Sequence, residues 1–331
     1  MNPQTPLRIC LVGCGSIARS HMQAYLRVAD AQVSTVVDIS QERVEKFAKD
    51  WPVNSFSTSL DDALKDVDLV DVCTSPEFHA AVTVRAANAG KHIFCEKPMA
   101  TTMAQAEQAA LAVKRSGVKY ALGLNRRFDG GVRTLKRLLS KGEIGEAYSL
   151  SLVDRSGSID RVSGWRRDFK LGGGVTFDRA PHYLDTARVF MGDISEVTCY
   201  GHIDKQLGVD VSSFLSLRFA NGGVGSIALG FPYLEKPSDV RMEVLGKKGE
   251  IRYSDDSGNV LWINRKGRFI NRGGRKVGIP FTPVDTFQAE LSNFIQSIIE
   301  GSEPEVDVSE ALENMRLLAA AIESLRRTMP R

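Results

Sequence analysis

No run of apolar residues in the 331-residue chain approaches the ~18 that a membrane-spanning helix requires, so no membrane partner is expected. Nor is there an excess of charge of either sign. Forty-three Lys and Arg stand against 40 Asp and Glu, spread along the length, and no basic stripe offers itself to nucleic acid. Cysteines are few and odd in number: the five, Cys10, Cys14, Cys73, Cys95 and Cys199, sit mainly in strand-like apolar runs. Such usage fits buried free thiols in a reducing compartment, and Cys10 and Cys14 lack the partner pair of a zinc site, so no metal is expected. Repeats and low-complexity tracts are absent, and the polar start, Met1 to Pro6, runs directly into a strand-like segment. These absences point to a cytoplasmic protein that folds throughout.

What is present is ordinary globular material, with 43% hydrophobic and 25% charged residues. The length exceeds the ~250 to 300 residues at which a single core stops growing, which predicts two domains. Up to Asn125, short aliphatic runs (Leu7–Val12, Val33–Asp38, Leu69–Cys73, His92–Cys95, Tyr120–Leu124 and a shorter Val53–Ser57) alternate with amphipathic ones at Ile17–Val28, Glu42–Lys49, His79–Ala89 and Ala104–Ser116. This is the pattern of a doubly wound parallel sheet. Beyond Asn125 a helical stretch at Val132–Ser140 gives way to half-buried strands at Ala147–Asp154, Val197–Tyr200, Ser212–Phe219, Gly223–Leu229 and Arg241–Leu245. Gly222-Gly223 and Lys247-Lys248-Gly249 supply turns, Ser254–Gly258 reads as a polar loop, and helices at Thr286–Glu300 and Ser309–Thr328 close the chain. The expected division is 1–125, an α/β unit, and 126–331, an α+β unit with a large, mostly antiparallel sheet.

Gly13-Cys14-Gly15-Ser16-Ile17-Ala18 fits G-x-G-x-x-G/A between a buried strand and a helix, the context that makes this motif informative. Gly13 permits the tight turn, Gly15 admits a pyrophosphate to the backbone, and Ala18 allows close packing, while the N–H groups opening the helix bind phosphate. Asp38 ends the second strand, where an acid accepts hydrogen bonds from ribose hydroxyls. Its charge repels a ribose phosphate, and Ile39 and Ser40 bring no arginine to receive one. A Rossmann domain that prefers NAD to NADP is therefore expected.

Further motifs follow in order: Thr74-Ser75-Pro76-Glu77-Phe78-His79, Glu96-Lys97-Pro98, and Gly172-Gly173-Gly174 leading to Asp178 and His182. With these the chain resembles, over nearly its whole length, the glucose-fructose oxidoreductase and inositol dehydrogenase family, Gfo/Idh/MocA. Glu96-Lys97-Pro98 looks like that family's signature, Asp178-x-x-x-His182-x-x-Asp185 like its catalytic segment, and Asn125-Arg126-Arg127-Phe128 and Trp165-Arg166-Arg167 like segments near the substrate. The resemblance implies a nicotinamide-dependent oxidoreductase of a sugar, sugar derivative or cyclitol, with Thr74, Pro76, His79, Glu96 and Lys97 beside the cofactor. His79 then packs or caps at a helix start. His182 is the expected base, Lys97 stabilises charge on the substrate oxygen, and Asp178 orients substrate or His182. Asn125, Arg127, Trp165, Arg166 and Asp185 are the expected substrate residues. One departure is Ala180-Pro181, where glycine is common two places after the aspartate. Because proline is comfortable in a first helical turn, Asp178 is read as the N-cap, which puts Asp178 and His182 on one helix face. Two other functions are compatible with the motifs: an NAD-dependent glycosidase, and a sensor without chemistry, the latter disfavoured because Lys97 and His182 are both present. A homodimer or homotetramer through the second sheet is expected.

Overall fold

Six short strands, the inner ones mostly apolar, build the first sheet. The structure is a computed structural model that describes residues 6–233, 239–255, 258, 260–265 and 275–328; residues 1–5 and part of the Ser254–Gly258 loop lie outside the described residues. Along the chain come β1 (Leu7–Val12), α1 (Ser16–Tyr25), β2 (Ala31–Val37), α2 (Gln41–Asp50), β3 (Ser55–Ser57), α3 (Leu60–Ala63), β4 (Leu69–Val72), α4 (Pro76–Asn88), β5 (His92–Glu96), α5 (Met103–Ser116) and β6 (Tyr120–Gly123). All pairings are parallel, in the order β3-β2-β1-β4-β5-β6, so the strand order reverses between β1 and β4. A ligand crevice in such a sheet lies outside the carboxyl ends of the strands at that switch point. Burial on both faces explains why these strands are apolar rather than alternating.

The second sheet has eight strands. α6 (Gly130–Ser140) and β7 (Ala147–Asp154) are followed by α7 (Val175–Met191), β8 (Ile194–Ile203), β9 (Asp210–Phe219), β10 (Val224–Gly230), β11 (Val240–Gly246), β12 (Gly249–Ser254), β13 (Val260–Arg265) and β14 (Arg275–Pro280). The order is β14-β13-β12-β11-β7-β10-β9-β8, antiparallel except for β7 with β10. From Val211 onward the residues of β9 alternate between buried and exposed, so one face is covered, by α7, and the other is open. Strands β12 to β14 extend the sheet beyond those the alternation disclosed. Among the described residues no helix is long and apolar enough to cross a membrane.

The two compact units do not follow a single cut of the chain. Asp285–Met315 belongs to the first unit, and the second comprises Arg126–Val284 with Arg316–Arg331. Helix α8 (Thr286–Glu300) carries the reason: Leu291, Phe294 and Ile295 are at most 2% exposed and join the core formed by β1, α1, β2 and β4. Arg27 at the end of α1 reaches the α8 N-cap Asp285 at 2.6 Å, and Lys119 reaches Glu303. The last helix, α9 (Val308–Thr328), takes the chain into the second unit, where Ser324 Oγ donates to the Cys199 carbonyl. All five cysteines are free and buried.

Candidate functional site

At the switch point of the first unit, β1 ends in a turn that only glycine can make. Gly13 has φ +96°, and a Cβ there would stand 2.7 Å from the Cys73 carbonyl oxygen at the end of β4. Gly15 differs, since nothing lies within 4 Å of its would-be Cβ, and the space is open for a ligand to approach the backbone. It is also the N-cap of α1, with no side chain capping the helix and no acidic residue in the first turn that begins with Ser16, Ile17 and Ala18. The helix therefore presents its first N–H groups and the positive end of its dipole to that space. Ala18, fully buried, packs the helix onto the sheet. Asp38, only 8% exposed, braces the turn: Oδ2 accepts from the Cys14 N–H at 2.9 Å, and Oδ1 from the Ser40 N–H at 2.9 Å. Arg43 reaches Oδ1 as well, Nη2 lying at 2.9 Å, although its own side chain is 59% exposed. A reading that stopped at Ser40 missed this arginine, which the first turn of α2 carries back over the strand end.

The loops after β4 and β5 are joined by His79. Its Nδ1 lies 2.7 Å from the Pro98 carbonyl and its Nε2 3.0 Å from that of Thr74. Burial pushes its pKa below the usual imidazole range although both carbonyls favour the charged ring, so a neutral His79 donates to one carbonyl at a time. Pro76 opens α4 at its first turn, where a missing N–H is harmless. Glu96, 7% exposed, ends β5, and its Oε2 accepts from the Lys97 N–H at 3.1 Å; Lys97 precedes a cis peptide to Pro98. Lys97, Thr74 and Pro98 are thus held in one local framework at the carboxyl end of the parallel sheet.

In the second unit the site residues gather on α7. This helix starts at Val175 with Gly174 as N-cap, so Asp178 is not the cap and Pro181 is interior, not in the first turn. The cap arrives from β9: Asp210 Oδ2 accepts from Thr176 N at 2.9 Å and from Thr176 Oγ1 at 2.6 Å. An acceptor 34 residues downstream leaves no local sequence signal. It anchors the first turn firmly enough for the helix to tolerate a proline that removes one internal bond. Gly174 is obligatory, its φ being +96° and its would-be Cβ 1.9 Å from Asp210 Oδ1. Gly173 N donates to the Asp168 carbonyl and Gly174 N to that of Arg166, folding the Trp165–Arg166 segment back onto the helix start.

Asp178 and His182, one turn apart, keep their shared face despite the earlier start, because the whole stretch is α-helical. Arg166 Nε lies 3.8 Å from Asp178 Oδ1, and its guanidinium stacks 4.3 Å from the centroid of the Trp165 ring. Arg127 clasps Asp185 through Nε at 3.0 Å and through Nη2, leaving Asp185 1% exposed. Neighbouring Arg126 lies over the Tyr183 ring and close to Asp154, so two consecutive arginines both bind structure carried by α7 or the adjoining strand. Asn125, half-buried, opens a single 3-10 turn at the end of the first unit.

Comparison with known proteins decides what this combination is. Residues 7–124 match the oxidoreductase family's NAD-binding Rossmann fold, and residues 136–330 match its C-terminal alpha/beta domain. The chain belongs to the Gfo/Idh/MocA oxidoreductase family. Gfo/Idh/MocA relatives include the myo-inositol 2-dehydrogenase of Thermotoga maritima, 28% identical over 340 residues covering 96% of each chain. Another is the scyllo-inositol 2-dehydrogenase (NAD(+)) of Bacillus subtilis, 28% identical, covering 98% of this chain and 95% of the relative. A levoglucosan dehydrogenase solved with NADH and levoglucosan shares the fold, with a TM-score of 0.89 at 23% identity and 98% coverage of both chains. This family member is an NAD(P)-dependent oxidoreductase, and its uncapped α1 and open Gly15 suit the pyrophosphate of such a cofactor.

Proposed function

We propose that the chain is an NAD-dependent dehydrogenase or reductase acting on a secondary alcohol or ketone of a sugar, sugar derivative or cyclitol. The observation that carries this reading is the pairing, on one face of α7, of an imidazole with a carboxylate one turn away, in a chain that also holds a lysine at the carboxyl end of a dinucleotide-binding sheet. The bound nicotinamide supplies the hydride acceptor. His182, whose ordinary pKa lies near neutrality, takes the hydroxyl proton during oxidation and returns it during reduction. The Lys97 ammonium, its backbone held by Glu96, is suited to stabilising negative charge that develops on a substrate oxygen. Asp178 orients the reacting group. Arg166 beside Asp178, Trp165 beneath Arg166 and the Arg127–Asp185 pair offer fixed donors and a ring face, the combination that suits a polyol. The two related inositol dehydrogenases support the substrate class. Asp38 supports NAD as the preferred cofactor, since its carboxylate stands where a ribose phosphate would be repelled, and Arg43 is engaged by it.

A panel of polyols, cyclitols and sugar derivatives with NAD or NADP, read by nicotinamide absorbance, tests the assignment. The expected result is turnover with at least one of them, preferentially with NAD, and a loss of about 10²- to 10⁴-fold in kcat for His182→Ala and for Lys97→Ala with unchanged melting temperature. Full turnover in both variants rejects the roles. No turnover across the panel rejects the substrate class.

The same reading includes a homodimer or homotetramer formed through the open face of the second sheet. Tyr200 on β8 and Phe214 on β9 are direct cross-strand partners and are 61% and 47% exposed. Through Ala228 and Ser226 of β10 this surface continues to Val224, which gives it an apolar edge that a second copy can cover.

A further inference from the structure

Away from the dinucleotide turn, the first unit buries a cluster of ionisable groups that the proposed chemistry does not use directly. His21 and Tyr25 come from α1, Asp71 from β4, Cys73 from the residue after it, Glu96 from β5 and Glu290 from α8; none is more than 7% exposed. His21 Nδ1 lies 2.8 Å from Asp71 Oδ2, and its Nε2 lies 3.1 Å from Glu96 Oε1. A carboxylate only accepts, so the two contacts are both hydrogen bonds when the ring carries both protons. Burial opposes that charge, but Asp71 and Cys73 outweigh it and hold the His21 pKa well above the usual range.

Glu290 has no such arrangement. Both its carboxyl oxygens are buried and have no hydrogen-bond partner among the described residues, yet one of them lies within 4.8 Å of the His21 nitrogen and of the Glu96 oxygen. Ionised, it would be a third carboxylate around a single imidazolium, unpaired and out of water, which is among the least favourable states a side chain can adopt. Burial, then Glu96 and then Asp71, push its carboxyl well above the ordinary range, with His21 opposing.

We propose that Glu290 is a positioning residue for Lys97: it sits in the cluster as a neutral carboxylic acid, leaves the His21–Glu96 ion pair undisturbed, and through Glu96 Oε2 keeps the Lys97 backbone in place. The inference rests on the reading of Lys97 as a site residue. The groups that face Glu290 are His21 and Tyr25 from α1, Asp71 from β4, and Glu96, which is itself held below the ordinary carboxyl range against its burial by His21 and Lys97. The same ligand atoms have the number and closeness of a metal site. A proton is favoured because the doubly protonated His21 donates to a carboxylate from each ring nitrogen and so keeps no lone pair for an ion, and because the rings of Phe94 and Phe287 pack against the imidazole at 5.6 and 5.4 Å.

Glutamate labelled with 13C at the carboxyl carbon reports the protonation state in the intact wild-type chain, and amide NMR of labelled lysine reports the Lys97 backbone. We expect a neutral-acid shift for Glu290 at pH 7, a Lys97 amide that keeps its position in Glu290→Gln, and one that moves in Glu290→Ala. The melting temperature of the wild type should fall more steeply with rising pH than that of Glu290→Gln. The sign follows because the folded Glu290 retains a proton that the unfolded chain has already released. A carboxylate shift at pH 7, an equal displacement of Lys97 in both variants, no displacement in Glu290→Ala, parallel pH slopes for wild type and Glu290→Gln, or one equivalent of metal in the purified protein overturns the proposal. No nucleotide or polyol enters these readouts, so their failure is distinct from failure of the dehydrogenase assignment.

Discussion

Asp38 engages four donors with one small carboxylate: the backbone of Cys14 and of Ser40, and two nitrogens of Arg43. It is at once a brace for the glycine turn and the proposed ribose acceptor. Asp38→Ala should weaken NAD binding by about 10- to 100-fold, the loss expected for hydrogen bonds to a charged group worth about 1.5 to 3 kcal/mol. The same change releases Arg43, so the NAD-to-NADP affinity ratio should fall further than NAD affinity alone; titration calorimetry with both nucleotides measures the two effects together. An unaltered ratio would mean that Asp38 does not set the preference. Asp185 teaches a different lesson, because its carboxylate is bound to Arg127 and 1% exposed. In the proposed polyol site its part is to hold that guanidinium.

For the elements, α7 shows how a helix carrying a proposed catalytic pair is anchored from outside. Asp210 on β9 caps it, and burial raises the Asp210 carboxyl to about 6. Between its ordinary value of 3.8 and about 6 the folded chain keeps a proton that the unfolded chain has lost. Stability therefore falls as pH climbs through that window, by up to about 3 kcal/mol. Asp210→Asn keeps an acceptor for Thr176 but cannot titrate, so its melting temperature should change less than the wild type's between pH 4 and 6.5 in a calorimetric series. Asp210→Ala removes the acceptor as well, and about 1 to 2 kcal/mol of stability should be lost relative to Asp210→Asn at any pH. Helix α8 is anchored differently, by Leu291, Phe294 and Ile295. Glu290, on that same apolar side four places before Phe294, is the ionisable residue that the sequence places there without showing its partners.

For the whole molecule, the open face of the eight-stranded sheet is the feature with a consequence in solution. Tyr200→Lys with Phe214→Lys would place like charges directly opposite one another, a destabilising arrangement for any copy packed there and for the strand pair itself. Light scattering should record a shift from dimer or tetramer to monomer, with circular dichroism unchanged. A wild type already monomeric at high concentration removes the proposal.

The sequence by itself determined the first sheet, because parallel strands buried on both faces are written as unbroken apolar runs and the glycine turn needs φ values that only glycine adopts freely. It also determined the α7 face that carries Asp178 and His182, since helical spacing survives a shift of the helix start. Tertiary structure alone decided where that helix begins, because Asp210 is 34 residues from the N–H it accepts. It decided the unit to which Asp285–Met315 belongs, because an amphipathic helix states that it has an apolar face but not which core will cover it. It brought Arg43 to Asp38 and Glu290 to His21 and Glu96 as well. Charges meet through folds of the chain, and the desolvation that gives them their chemistry exists only once those folds have closed.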